Sequence, residues 1–208
     1  MEKSLTAAIL AGGRGKRMAV ANKAGLLVDG EKIITGIINT LSDLFQEIII
    51  ITNTPEDFPE FSKYRIAGDL YSGRGPLGGV HSALRNTDSD AVFIFAGDMP
   101  FLDKGLILKQ INEFNSGSYE ILVPGTGSAI EPLHAIYSRK VLDRLEDFIR
   151  SGESNAIRDF FSLVDAGYFD PGDNFNTRRA FTNINTPADL IEAERIKREG
   201  RQMGKNSF

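Results

Sequence analysis

Residues 5–18 read LTAAILAGGRGKRM, an apolar run followed by a loop of glycines and basic residues. The run Leu5–Leu10 has the length and composition of a buried strand, and the glycines after it mark a loop. Glycines let a backbone approach a ligand closely, and successive N–H groups can hold phosphate oxygens. The stretch predicts a strand that leads into an anion-binding loop, with a tight turn carrying a basic surface cluster as the alternative.

The rest of the chain alternates apolar runs with amphipathic segments. Largely apolar runs predict strands at 5–10, 47–52, 91–96, 121–124 and 133–137, and the short stretch 64–67 is a further strand candidate. Helical spacing predicts helices at 33–45, around Val80 and Leu84, at 107–114, at 141–149 and at 186–198. This order predicts one α/β domain over residues 1–198, Rossmann-like, with a doubly wound, mostly parallel sheet and helices on both faces. The polar residues 199–208 are expected to fray.

Composition argues against several classes of protein. The 208 residues carry a formal net charge of −4, whereas general nucleic-acid binders usually have a basic balance. Cysteine is absent, so neither a disulfide nor a cysteine-based metal site can form. The N-terminal apolar run is too short for a signal peptide or a membrane span. We therefore expect a cytoplasmic protein without nucleic-acid or membrane partners.

The glycine loop departs from two familiar phosphate-binding motifs. A Rossmann fingerprint needs a third glycine where Met18 stands, and a P-loop needs serine or threonine where Arg17 stands. In open α/β sheets, ligands bind beyond the carboxyl ends of the strands. Functional residues are therefore expected just after Leu10, Thr52, Ala67 and Ala96.

Several ordered motifs carry a resemblance to a known family. Leu10-Ala11-Gly12-Gly13, Arg17-Met18 and Lys23 match the pattern L-x-G-G-x-x-x-R-M-x-x-x-x-K of the MobA-like nucleotidyltransferases. GPLGG at 75–79, GDMPF at 97–101, EPLHAIY at 131–137 and FTNINTP at 181–187 resemble the molybdenum cofactor guanylyltransferases within that family. Two positions differ from the usual pattern: Ala19 replaces a glycine, and Asn22 replaces an aspartate.

The resemblance implies a reaction and its substrates. A member of this group transfers GMP from GTP to the terminal phosphate of molybdopterin, releases pyrophosphate and uses Mg²⁺, with Mn²⁺ as an alternative ion. Its partners would be GTP, molybdopterin or Mo-molybdopterin, and the proteins that deliver molybdopterin or act as molybdoenzyme chaperones. The acceptor phosphate is itself the nucleophile, so catalysis consists of positioning and charge stabilisation.

The resemblance also assigns roles to residues. The GTP-binding set is Leu10, Ala11, Gly12, Gly13, Lys23, Asn53, Asp69 and Asp98. Asp98 would hold the metal at the end of an apolar strand, a place suited to a magnesium ligand; the alternative is a helix N-cap. Arg17 is an added catalytic candidate for neutralising pyrophosphate, together with Lys23 and Asp98. Asn183 and Asn185 are expected on the pterin side, and Glu131, Arg178 and Arg179 are unranked candidates there.

Other interpretations remain open. The same fold could transfer CMP or another nucleotide to molybdopterin or to another phosphorylated acceptor, or it could bind a nucleotide without catalysis. Asn53 could be a turn residue at a strand end. His81, expected on the helix after GPLGG, and His134, expected in a strand, are interpreted as structural residues.

Overall fold

The structure, a computed structural model, describes residues 3–12, 23–126 and 129–205. Its strands are β1 Leu5–Leu10, β2 Leu27–Val28, β3 Glu31–Lys32, β4 Ile48–Ile51, β5 Arg65–Ala67, β6 Ala91–Ala96, β7 Ile121–Thr126, β8 Ala129–Ile130, β9 His134–Ser138 and β10 Ala166–Phe169. Its α-helices are α1 Ile33–Leu41, α2 Pro76–Arg85, α3 Lys104–Ser116, α4 Leu142–Ser151, α5 Ile157–Phe160, α6 Phe175–Ala180 and α7 Pro187–Lys205.

The main sheet has the strand order β10-β7-β9-β6-β1-β4-β5. Strand β1 runs parallel to β4 and β6, β4 parallel to β5, and β7 parallel to β10. Strand β9 is antiparallel to both β6 and β7. The connection from β7 to β9 is too short for the crossover of a dozen or more residues that a parallel pair requires. The prediction of a mostly parallel α/β sheet is confirmed.

The core lies on both faces of this sheet. Successive strand residues point to opposite faces, so Phe93 and Phe95 pack on one side with α1 and α3, whereas Ile94 packs on the other with α2 and α4. Helix α1 buries its Ile33, Ile34, Ile37 and Ile38 side chains. Helices therefore cover both faces, as the sequence predicts.

Three features differ from the sequence expectations or add to them. A hairpin joins β2 to β3 through Asp29 and Gly30, whose φ angles of 52° and 78° are those of a two-residue turn with both φ positive. Strand β10 and the short helices α5 and α6 were not expected. Helix α7 continues past its expected end at Arg198. An ion pair between Arg195 and Glu199, one turn apart, spans that position. None of the described helices is both long and apolar enough to cross a membrane.

Candidate active site

The carboxyl ends of β1, β4, β5 and β6 meet at one edge of the sheet. Backbone hydrogen bonds join the segments there: the Gly97 N–H donates to the Leu10 carbonyl at 3.0 Å, and the Ala11 N–H donates to the Ile51 carbonyl at 2.9 Å. Because its N–H is engaged in this way, Ala11 would have to contact a nucleotide through its carbonyl. Hydrogen bonds thus join the ends of these strands into one edge, which we call the shelf. It lies where the sequence predicts ligand-binding residues.

Three candidate residues meet in one cluster on this shelf. The Lys23 ammonium lies 3.0 Å from Asp98 Oδ2 and 2.5 Å from Asn185 Oδ1. The side chains of Lys23 and Asp98 are 20% and 22% exposed, so a ligand can reach both. We call Lys23, Asp98 and Asn185 the cation cluster. It combines one ammonium, one carboxylate and one amide at the end of a buried strand.

Asn185 owes its position to the start of α7. The Ile184 N–H donates to the Asp98 carbonyl at 2.9 Å, which joins the two segments. Asp189 Oδ2 accepts hydrogen bonds from the N–H groups of Asn185 and Thr186, both at 2.8 Å. These two bonds lower the pKa of the Asp189 carboxyl below its usual value. Thr186 Oγ1 accepts from the Asp189 N–H in return, so the helix start is a reciprocal capping box.

Asp98 is not the cap of the helix that follows it. Helix α3 begins at Lys104, and its N-cap is Asp103, whose carboxylate accepts a hydrogen bond from the Leu106 N–H at 2.7 Å. Within the described part of the chain, the side-chain partner of Asp98 is Lys23. The alternative structural role considered for Asp98 is therefore excluded.

A second pair lies on the other side of β1. Asn53 follows β4 and Asp69 follows β5, and these strands are neighbours. The Asn53 amide donates to Asp69 Oδ2 at 3.1 Å, and Asn53 Oδ1 accepts from the Asp69 N–H at 2.8 Å. Partial burial raises the pKa of the Asp69 carboxyl, although the bond from Asn53 offsets part of that effect. The two side chains form one hydrogen-bonded unit at the shelf.

The glycines of the GPLGG segment permit close packing around that unit. A Cβ on Gly78 would lie 2.9 Å from the Tyr71 carbonyl oxygen, and a Cβ on Gly79 would lie 3.1 Å from a methyl of Leu10. Gly75, the N-cap of α2, has a φ of 53°, which favours glycine. The first turn of α2 can therefore lie directly against the loop carrying Asp69 and against the end of β1.

The family follows from the sequence. Residues 7–166 match the model of the MobA-like NTP transferase domain. This chain belongs to that family. The "probable molybdenum cofactor guanylyltransferase" of Clostridium perfringens strain 13 is 36% identical over 200 residues, covering 92% of this chain and 98% of the relative. The molybdenum cofactor guanylyltransferase of Syntrophotalea carbinolica is 32% identical over 206 residues, covering 96% and 93%.

Solved structures agree with the MobA-like assignment. Molybdopterin-guanine dinucleotide biosynthesis protein A from Archaeoglobus fulgidus superposes with a TM-score of 0.82 at 27% identity, covering 93% of this chain and 99% of that one. The 4-diphosphocytidyl-2C-methyl-D-erythritol synthase from Anaerococcus prevotii reaches a TM-score of 0.72 at 19% identity, covering 94% and 96%. The second likeness concerns the fold alone.

The cation cluster fits the metal that a MobA-like transferase is expected to use. Magnesium commonly takes one or two protein carboxylates and completes its octahedron with phosphate oxygens and water. Asp98 supplies one carboxylate at a partly exposed strand end, next to the Asn185 amide oxygen. No group of three or more acidic or histidine side chains with metal-binding geometry occurs among residues 3–12, 23–126 and 129–205. The donor set suits a metal held jointly with a triphosphate.

Other sequence candidates of this MobA-like chain fall outside the two clusters. Gly13 and Arg17, like Ala19 and Asn22, lie outside the described residues. Asn183 is half-buried and donates to the Phe181 carbonyl at 3.3 Å, so the structure does not bring it into the cation cluster.

Arg178 and Arg179, both candidates for the pterin side, lie in different surroundings. Arg178 pairs with Asp173 at 3.2 Å, with both side chains largely exposed. The Arg179 guanidinium lies 4.6 Å from the Phe101 ring centre. A cavity of about 240 Å³ adjoins Arg179, Phe101, the β2–β3 hairpin and α7. Within the described part of the chain, the side-chain partner of Asp98 is Lys23 and not either arginine.

Both histidines lie in the elements that the sequence predicts. His81 on α2 pairs through Nε2 with Glu146 Oε1 at 2.9 Å and packs edge-on against the Tyr71 ring. His134 opens β9 and lies fully buried among the rings of Phe93, Phe95 and Phe181. These surroundings agree with structural roles for both.

Sequence reasoning missed Asp189 as the residue that fixes Asn185. Its signal was available, because Thr186-Pro187-Ala188-Asp189 has the spacing of a capping box with proline at the first helical position. It also missed the hairpin after Lys23, although Asp29-Gly30 between apolar and charged residues is a strong hairpin signal. The first omission concerns a residue that positions Asn185 in the cation cluster.

Proposed function

We propose that this chain is a magnesium-dependent molybdenum cofactor guanylyltransferase. It would transfer GMP from GTP to the terminal phosphate of molybdopterin, giving molybdopterin guanine dinucleotide and pyrophosphate. The names of the relatives over nearly the whole chain support this reaction. The structural observation that carries it is the cation cluster, in which Lys23, Asp98 and Asn185 converge at the carboxyl edge of the sheet.

The chemistry needs positioning and charge neutralisation. An oxygen of the acceptor phosphate forms a bond to the α-phosphorus of GTP while the bond from that phosphorus to the β-phosphate oxygen breaks. Pyrophosphate leaves with the electron pair of that bond. Lys23 would donate hydrogen bonds to phosphate oxygens and offset their negative charge, and Asp98 would hold Mg²⁺ against the triphosphate. Bound Mg²⁺ supplies Lewis-acid stabilisation of the phosphate charge.

The Asn53–Asp69 unit would select the base. The Asn53 amide uses its carbonyl and one N–H on Asp69, so one N–H is left to donate to an acceptor such as guanine O6. Asp69 presents a half-buried carboxylate, which can accept hydrogen bonds from the N–H groups of guanine. Adenine and cytosine present a different order of donors and acceptors, so the unit favours GTP.

Thermal unfolding with each nucleotide tests the proposal. GTP at about 100 times its dissociation constant stabilises the fold by roughly 2.7 kcal/mol, which moves the midpoint by several degrees. We expect a shift with GTP that exceeds the shifts with ATP, CTP and UTP and that falls in Asp98→Ala when Mg²⁺ is present. A shift selective for CTP would instead indicate a cytidylyltransferase. GTP binding without release of pyrophosphate in the presence of molybdopterin would indicate a non-catalytic nucleotide-binding protein.

The location and the further partners are part of the same proposal. We place the reaction in the cytoplasm, with GTP and molybdopterin or Mo-molybdopterin as substrates. Molybdopterin-delivering proteins and molybdoenzyme chaperones would be the macromolecular partners. Co-purification of the full chain with a molybdopterin-producing protein tests this part, and recovery of neither class of partner would count against it.

A further inference from the structure

The segment before β9 brings another carboxylate to the same edge of the sheet. Strand β9 is antiparallel to β6, with His134 paired to Phe95, and the Ala96 N–H donates to the Leu133 carbonyl at 2.8 Å. Because the two strands run in opposite directions, Glu131 precedes β9 at the edge where Asp98 follows β6. The two carboxylates therefore leave neighbouring strands at the same end.

The strand order shows on which side of Asp98 the residue Glu131 lies. From one end of the sheet to the other, the order includes β9, β6, β1, β4 and β5. The base-selecting pair Asn53 and Asp69 follows β4 and β5, and Asp98 follows β6. Glu131 thus lies beyond Asp98, on the side opposite the proposed base site. In a transferase whose metal site lies between its two substrates, that is the side of the acceptor.

Backbone hydrogen bonds hold Glu131 in place, whereas its carboxylate makes no hydrogen bond or close ion pair within the described residues. The Glu131 N–H donates to the Pro124 carbonyl at 2.9 Å, and its carbonyl accepts from the His134 N–H at 3.0 Å. The side chain is half-buried, and burial raises the pKa of its carboxyl. The nearby Arg158 guanidinium partly offsets this effect, but it donates its hydrogen bond to the Ile130 carbonyl at 3.1 Å.

A partly buried carboxylate without a donor destabilises the fold, because it loses water and gains no hydrogen bond in return. Its placement is explained if a ligand supplies the donors. A pterin is well suited, because its 2-amino-4-oxopyrimidine ring presents the N3–H and one amino N–H side by side. A carboxylate accepts two such parallel N–H groups as it accepts the two of a guanidinium fork.

We propose that Glu131 binds the acceptor by accepting hydrogen bonds from the 2-amino and N3–H groups of its pterin ring. This inference rests on the proposed function for the identity of the acceptor. It assigns Glu131 to recognition of the pterin, distant from the phosphate that reacts. Glu131 therefore affects acceptor affinity, whereas Asp98 and Lys23 affect the transfer step.

Binding of small pteridines tests the contact without any turnover. Fluorescence titration of the full chain would compare pterin with lumazine, which carries a carbonyl in place of the 2-amino group. Wild-type protein is expected to bind pterin about tenfold or more tightly than lumazine, in line with the discrimination of a bidentate pair. Glu131→Gln should remove that preference, and the exposed Glu153→Gln serves as the matched control.

Kinetics then separates this inference from the proposed function. In Glu131→Gln, the KM for molybdopterin should rise about tenfold or more, with kcat and the GTP-dependent thermal shift nearly unchanged. Glu131→Asp, which keeps the charge, should recover part of the loss. If wild-type protein transfers GMP but Glu131→Gln has an unchanged KM, the inference is wrong and the function stands. If wild-type protein prefers pterin through Glu131 but never transfers GMP, the function is wrong and the contact stands. Equal binding of pterin and lumazine by wild-type protein would overturn the inference.

Discussion

Removal of the His134 imidazole should change how stability depends on pH. Burial among aromatic rings lowers the pKa of His134 from the usual 6.5 to about 4. Neither ring nitrogen has a hydrogen-bond partner among the described residues. His134→Leu, which roughly conserves volume, therefore loses no hydrogen bond. The variant differs from wild type mainly in having no proton to bind at this position.

The sign and size of the effect follow from linkage. Between pH 6.5 and 4, the unfolded chain binds a proton at His134 that the folded chain does not, so the unfolding free energy falls as the pH falls. Above pH 6.5 the side chain is neutral in both states and contributes nothing. With pKa values of 6.5 and about 4, the loss between pH 7 and pH 5 is about 2 kcal/mol.

Urea denaturation of both proteins at pH 7 and pH 5 measures this quantity. Other ionisable groups titrate alike in the two proteins, so the difference between their unfolding free energies isolates His134. We expect His134→Leu to gain about 2 kcal/mol relative to wild type on going from pH 7 to pH 5. A difference that stays constant within a few tenths of a kcal/mol would refute the assignment of His134 as a buried neutral side chain.

Two further changes test how the cation cluster is held in place. Gly97→Ala puts a Cβ 2.8 Å from the Leu10 carbonyl oxygen and 3.0 Å from the Ala24 Cβ. Because this space is already filled, the substitution should lower the unfolding free energy, measured by urea denaturation, by about 1–3 kcal/mol. An unchanged urea midpoint would contradict this packing. Lys197 binds Glu31 at 2.7 Å and so joins α7 to the hairpin after the cluster. Lys197→Glu should lower stability by about 1 kcal/mol, and adding Glu31→Lys should restore part of it; additive losses would argue against the pair.

The fold could largely be predicted from the sequence. The bounds of Leu5–Leu10 and Ala91–Ala96 match the expected strands, because each run is apolar except for Thr6 and is followed by a small residue. Strand β10, Ala166–Phe169, was missed because it has only four residues and contains Gly167, which weakens the sequence signal of a strand. The antiparallel direction of β9 follows from the short connection between β7 and β9. A prediction made for each segment separately does not take the length of that connection into account.

The candidate site could be predicted only in part. Apolar strands that are followed two residues later by Asn53 or Asp98 locate this edge of the sheet by physical reasoning alone. The meeting of Lys23, Asp98 and Asn185 depends on contacts between segments far apart in the chain, which no local pattern contains. The motifs that resemble the family were needed to select these residues, and their roles in catalysis remain predictions.

The formation of molybdopterin guanine dinucleotide tests the central claim most directly. Purified chain would be mixed with GTP, Mg²⁺ and molybdopterin, and the dinucleotide and pyrophosphate would be quantified against parallel reactions with CTP and ATP. We predict that both products form in equal amounts, that GTP is the preferred nucleotide, and that Asp98→Asn lowers the rate by about 100-fold or more without unfolding the protein. Wild-type protein that forms no dinucleotide from GTP, or an Asp98→Asn variant as active as wild type, would contradict the account.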